Sequence, residues 1–125
     1  MECIFFGWTL HDLMKIKSTI TVYNEVVYKP KTIEEKIAEY DWDYNTAVAV
    51  MLAESKANPK AVNIDDHHNG CNGSYGLYQI ACIHDDPAKL KDPDYNIERA
   101  YELYQESGWE IWGAYTNKSY LAYLN

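Results

Sequence analysis

Glu54 ends an eight-residue stretch, AVAVMLAE over 47–54, that carries no other charge. The apolar run before it reads as a helix hydrophobic on all faces, the kind that other protein surrounds. Asn58-Pro59, shortly after, forbids that helix from continuing. A carboxyl at the C-terminal end of a buried helix meets the partial negative charge of the last carbonyls, and it also loses water. Both effects favour the protonated form. A carboxyl kept protonated toward neutral pH is what a general acid for a glycosidic oxygen requires.

Other chemistry-bearing residues form poorer constellations. Asp65-Asp66-His67-His68 and His84-Asp85-Asp86 bring metal-ligand types together, but no His pair has i,i+4 spacing, and adjacent loop residues point apart. No metal site and no cofactor are expected. Ser55 and Ser74 lack the strand–turn–helix context of a nucleophilic serine, and no glycine-rich phosphate loop is present. Cys71 and Cys82 flank one motif and are candidates for a disulfide, which would leave Cys3 over; two buried free thiols are the alternative.

The elements that position these residues follow from periodicity and capping. Residues 4–17 place Phe6, Leu10, Leu13 and Ile16 at helical spacing, and the β-branched 19–28 reads as extended or a small hairpin. Thr32 with Glu35 forms a capping box, and Ile33, Ile37 and Tyr40 mark the inner face of the helix that follows. Asp43 caps the central apolar helix. Residues 56–75, with Asn58-Pro59, Asn69-Gly70 and Asn72-Gly73, read as loop. The apolar SYGLYQI, punctuated by Gly76, comes next. Asp92-Pro93 breaks the chain, and a helix capped by Asp94 carries Ile97, Ala100, Tyr101 and Tyr104 to Gly108. The aromatic tail from Trp109 is helical in part. One catalytic domain over 32–125 is expected, with residues 1–31 as an N-terminal helix and extended segment packing on it.

Composition limits the partners. A net charge of −8 leaves nothing to neutralise a phosphate backbone, so no nucleic acid is expected. It likewise gives no electrostatic support to binding an anionic membrane or wall polymer. No apolar stretch reaches the ~20 residues of a membrane span. The first residues lack the basic region of a secretory signal, so no export address is read there. The 12 Tyr and 4 Trp can fill a core or stack on sugar faces.

Four short pieces stand in one order: Glu54-Ser55; Gly76-Leu77-Tyr78-Gln79; Asn96-Ile97; and Ala114-Tyr115. In that order and spacing, residues 32–120 resemble the lysozyme-like lytic transglycosylases, the soluble-transglycosylase type related to goose-type lysozymes. The resemblance implies a mostly α (α+β), lysozyme-like fold with a small β or loop region between the catalytic helix and the Gln segment. It implies a monomer that acts on peptidoglycan glycan strands in the cell wall, as a secreted, periplasmic or phage-delivered enzyme. The bond cut is MurNAc-β-1,4-GlcNAc. Glu54 matches the catalytic acid, and Ser55 the residue that orients it. Gly76, Leu77 and Gln79 match the segment lining the cleft, and Tyr115 the tyrosine packed near the acid. Gly76 would allow close backbone approach to a ligand, and Gln79 would offer a donor and an acceptor.

Two departures bear on the reaction. After Ala114-Tyr115 the chain reads Thr116-Asn117-Lys118, where the family has Asn-Ala-Gly. Where a goose-type enzyme carries an aspartate after the Gln segment, Ala81 stands here; Asp65 and Asp66 are the nearby carboxylates, and Asp66 is the candidate to reach the cleft. With no second carboxylate assured, transglycosylation through the muramoyl 6-hydroxyl is expected, and hydrolysis of the goose type is an alternative. A non-catalytic saccharide-binding or interaction protein on the same scaffold is the other.

Overall fold

A computed structural model describes residues 29–125, and the helix predicted over 4–17 and the extended segment over 19–28 lie outside the described residues. Lys31–Asn125 forms one compact unit. The first helix, α1 (Ile33–Ile37), opens with the predicted capping box: Glu35 N–H donates to Thr32 Oγ1 at 3.1 Å, and Thr32 N–H to Glu35 Oε1 at 2.8 Å. Asp43 then caps α2 (Tyr44–Ser55) by accepting from Thr46 N–H at 2.9 Å. Ala47, Ala49, Val50 and Met51 of α2 have no exposed surface. The helix stops two residues before the predicted breaker, because Lys56 (φ 54°) and Ala57 (φ 63°) both turn left-handed ahead of Asn58-Pro59.

Most of the stretch predicted as loop is a sheet. Strands β1 (Val62–His68), β2 (Cys71–Tyr75) and β3 (Ile80–Ala81) pair antiparallel in the order β1-β2-β3. The first two join through the two-residue turn Asn69-Gly70, a hairpin dipeptide whose glycine has φ +97°. The strand signal is weak in the sequence because β1 buries neither face fully, so polar residues fill it. Register runs evenly from Val62↔Tyr75 to Asn63↔Ser74, then resumes at His67↔Asn72. Residues 64–66 therefore oppose Gly73 alone. Such a bulge bends the strand and re-aims its side chains.

A short α3 (Pro87–Leu90), capped by Asp86, was not foreseen. The long helix α4 (Pro93–Ser107) is capped by Asp92, whose Oδ2 accepts from Tyr95 N–H at 3.1 Å, and not by Asp94 as the sequence reading had it. Proline at the first helical position lacks only an N–H that would have no intrahelical partner, so Pro93 starts the helix where it was read as a break. Asp94 falls in the first turn and pairs with Lys36 of α1 at 2.8 Å. After Gly108 come a 3₁₀ turn (Trp109–Ile111), α5 (Gly113–Thr116) and a second 3₁₀ segment (Ser119–Tyr123).

The fold is thus mostly α, with a small antiparallel sheet between α2 and the Gln segment, as predicted. Most of the aromatics go to its core. Trp42 packs on Tyr78, Tyr101 and Trp109 with ring centroids 5.3–5.6 Å apart. Their polar atoms are satisfied inside: Tyr78 OH donates to Ala47 O at 2.8 Å, and Trp112 Nε1 to Tyr78 O at 2.9 Å.

The turn between β2 and β3 is held by one buried amide. Asn96, fully buried on α4, donates from Nδ2 to Leu90 O at 2.8 Å and Tyr75 O at 3.0 Å, and its Oδ1 accepts from Tyr78 N–H at 2.9 Å. Gly76 makes room for it. At φ +81°, a Cβ there would stand 2.2 Å from both Asn96 Nδ2 and Leu90 O.

Candidate active site

Glu54 opens onto a cavity of about 550 Å³ bounded by the end of α2, the sheet, the residues after β3 and the start of α5. Its Oε2 accepts from Ala114 N–H at 3.2 Å. Ala114 is the second residue of α5, whose N-cap, Trp112, offers no side-chain acceptor. The Glu54 carboxyl therefore caps α5 from another helix. Its pKa is raised from the ordinary 4.5, first by burial and then by the nearby Asp66 carboxylate, with the Ala114 N–H pulling the other way. The direction is the one read from the sequence, but desolvation is the main cause.

Asp66 lines the same cavity. The bulge over residues 64–66 turns it inward, half-buried, while Asp65 stays exposed. The buried Ser74 hydroxyl donates to Asp66 Oδ2, and His68 Nε2 lies 3.2 Å from that same oxygen. His68 Nε2 is buried and too far off line to form a hydrogen bond with any atom of the described residues. Gln79, at φ 48°, lines the cavity with both amide hydrogens committed, to Gly76 O at 3.0 Å and Ala61 O at 3.1 Å. A ligand can therefore find an acceptor at Gln79 Oε1, but not the donor that the sequence reading also allowed it.

The other predicted site residues lie outside the cavity lining. Ser55 Oγ donates back to Met51 O at 3.3 Å. Leu77 is fully buried in the core. The groups closest to Gly76 are Asn96 and Leu90 O. Tyr115 stacks on Tyr120 at 4.7 Å and on Trp109 at 6.4 Å. Cys71 and Cys82 are joined by a disulfide with Cα atoms 6.2 Å apart, tying the start of β2 to the residue after β3. Asp85 is taken up by the Tyr95 hydroxyl and, at 3.4 Å, by Arg99 Nε; the Tyr95 hydrogen bond lowers its pKa. Among the described residues, no three His, Cys, Asp or Glu side chains are grouped to hold a metal ion.

Several cavity residues escaped the sequence reading. His68 and Ser74 had been weighed for metal and nucleophile roles and set aside, while Asn63, His84 and Trp112 drew no notice as lining. Asn69-Gly70 held the useful signal: as a two-residue hairpin turn it places His68 opposite Cys71, and hence the Asp66 region beside Ser74.

A mostly α domain with an acid at the end of its central helix, facing a small sheet across a cleft, defines a lysozyme-like architecture. The family described as a lysozyme-like domain matches residues 37–114, more than half of the chain, and the chain belongs to that family. Comparison with curated proteins and with solved structures gives no match. Among the described residues no helix is long and apolar enough to cross a membrane.

Proposed function

We propose that this domain is a glycosidase that cuts the MurNAc-β-1,4-GlcNAc bond of peptidoglycan glycan strands, with Glu54 as general acid. The observation that carries the reading is the Glu54 carboxyl at the cavity, its pKa raised by burial and by Asp66. Family membership supports peptidoglycan as the substrate class, and with it action at the cell wall. Glu54 protonates the leaving oxygen, then, deprotonated, accepts the proton of the group that attacks the sugar.

Two acceptors can finish the reaction. The sequence favoured the muramoyl 6-hydroxyl, giving a lytic transglycosylase, because no second carboxylate was assured. Asp66 on the cavity lining supports water instead, since a second carboxylate in the acid's cavity can hold and orient it. Hydrolysis is thus the reading best supported by the cleft. Transglycosylation keeps its support from Ala81, which lines the cavity where a goose-type enzyme carries its aspartate.

Digestion of purified peptidoglycan with mass spectrometry of the fragments tests both. Hydrolysis leaves reducing muramic ends, and transglycosylation leaves 1,6-anhydro ends lighter by one water. Glu54→Gln, which keeps the shape and removes the proton, should lower the rate by about 10²–10⁴-fold. Unchanged lysis by that variant refutes the role of Glu54. Glycan binding without turnover by the wild-type chain would make this a binding module on the same scaffold.

A further inference from the structure

We infer that Ser74 and His68 are positioning residues that pin one oxygen of Asp66 so that the other faces the reacting water. The inference rests on the glycosidase reading above and goes beyond it by assigning two side chains to the second step. Both act on the same atom. The Ser74 hydroxyl donates to Oδ2, and His68 Nε2 stands 3.2 Å from Oδ2. Oδ1 has no hydrogen-bond partner among the described residues. The Ser74 hydrogen bond fixes Oδ2, and His68 Nε2, one small ring rotation from donating to the same atom, limits how far the carboxylate can turn.

Two further observations set this apart from an ordinary buried polar cluster. His68 Nε2 is buried and unpartnered, a costly state that a small ring rotation toward Oδ2 or a bound water would relieve. The bulge over 64–66 spends three residues against Gly73, and its effect is to bring Asp66 in beside Ser74. Gly73, opposite that bulge, has φ +108°, a left-handed backbone that glycine adopts without strain.

The chemistry follows. After Glu54 gives its proton to the departing oxygen, the sugar carbon must accept an oxygen from water or from the 6-hydroxyl. Asp66 Oδ1 accepts a hydrogen bond from the water and aligns it; with the bond to the departing oxygen broken, the water's oxygen bonds to the sugar carbon, and its proton passes to the deprotonated Glu54. If Asp66 is free to turn, the water is lost first. The 6-hydroxyl, which is part of the substrate, then takes a larger share of the product.

The test is the ratio of reducing to 1,6-anhydro muramic ends, together with kcat and KM, for the full chain on purified peptidoglycan. Ser74→Ala and His68→Phe should each lower kcat for water by about 10–10²-fold, leave KM within about twofold, and lower the share of reducing ends. His68→Gln, which returns a donor near the Nε2 position, should recover much of that share. Asp66→Asn should reduce it furthest. Circular dichroism and melting curves identify a variant that has not folded; if Ser74→Ala fails there, the His68 pair decides. Wild-type kcat and product ratio in both His68→Phe and Ser74→Ala overturn the inference. So does a fall in kcat with an unchanged product ratio. If the wild-type chain releases no ends, or Glu54→Gln releases them as fast, the glycosidase reading itself has failed.

Discussion

Replacing Asn96 with alanine should cost this domain a large part of its stability. The side chain makes three buried hydrogen bonds, at 2.8, 2.9 and 3.0 Å, and its removal leaves the Leu90 and Tyr75 carbonyls and the Tyr78 N–H without those partners. A buried polar group left unmade costs about 1–3 kcal/mol. Water entering the space left behind would restore some of the bonds, so we take the low end and expect about 3–4 kcal/mol in total. That is a substantial fraction of the roughly 5–15 kcal/mol that holds a small domain together. Urea unfolding followed by tryptophan fluorescence reads it directly, because Trp42 and Trp112 both pack on Tyr78. An unchanged m-value with a cost below about 1 kcal/mol would refute the reasoning.

Asn96→Asp sharpens the test. Its carboxylate can still accept from Tyr78 N–H, but its second oxygen now faces the Leu90 and Tyr75 carbonyls, where Nδ2 donated. Burial and those two oxygens disfavour the charged form, so the native pKa rises above the ordinary aspartate value. A raised carboxyl pKa means that the folded state holds its proton longer than the unfolded one. Stability is then lost as pH climbs from the unfolded value through the folded one. Asn96→Asp should approach the wild type only in acid, where a protonated carboxyl can return one donor.

Glu54, the disulfide and Gly76 each yield a further prediction. Glu54 has a native pKa above its ordinary 4.5, so its own contribution to stability should fall as pH rises from there, and Glu54→Gln should gain on the wild type; the difference in urea midpoint between the two at about pH 4 and about pH 7.5 tests this, and an equal difference at both sinks the linkage. Breaking the Cys71–Cys82 bridge, which closes a sequence separation of 11, should cost about 2–3 kcal/mol in unfolded-chain entropy. Oxidised and reduced protein are compared by denaturant midpoint, and alkylation of Cys71 or Cys82 without reductant would show that the bridge is absent in solution. Gly76→Ala should destabilise by more than about 1 kcal/mol, because its Cβ would meet the Leu90 backbone oxygen at 2.2 Å in a left-handed conformation.

The parts of the fold that are local in origin were the legible ones. Thr32-Glu35 and Asp43 announce their helices because a cap acts within three residues. The apolar run of α2 declares its own burial. The hairpin was not legible, because its strand residues are polar and exposed, and only the Asn-Gly turn speaks for it. Asp92 lost the cap to Asp94 in the reading because proline was weighed as a breaker and not as a first residue. In the site, Glu54 was readable from the change in character at its helix end. Asp66 was named as the carboxylate able to reach the cleft, and it lines the cavity; the register shift between strands that places it there is what no count along one strand reveals. Ser55, Leu77 and Tyr115 were assigned to the site by family likeness alone, and Gly76 by likeness and its freedom of close approach; the groups each of them meets are Met51 O, the core, Tyr120, and Asn96 with Leu90 O.

The turn over residues 75–79 is tied by hydrogen bonds to the elements that carry both Glu54 and Asp66. Glu54 belongs to α2, which Tyr78 grips through its hydroxyl at Ala47 O. The Ala114 N–H that Glu54 caps belongs to α5, and Trp112, just before it, donates to the Tyr78 carbonyl. Asp66 reaches the cavity through Ser74, one residue before the turn, and Tyr75 and Tyr78 are both held by Asn96. Hydrogen-bonded links from the elements of both carboxyls thus meet at Tyr78 and its neighbours. A change at Asn96 or Gly76 should for that reason damage catalysis beyond its effect on the folded fraction. Residual lysis per folded molecule, measured where each variant is still mostly native, should fall in both, and unchanged lysis per folded molecule would show that the two carboxyls are held independently of the turn.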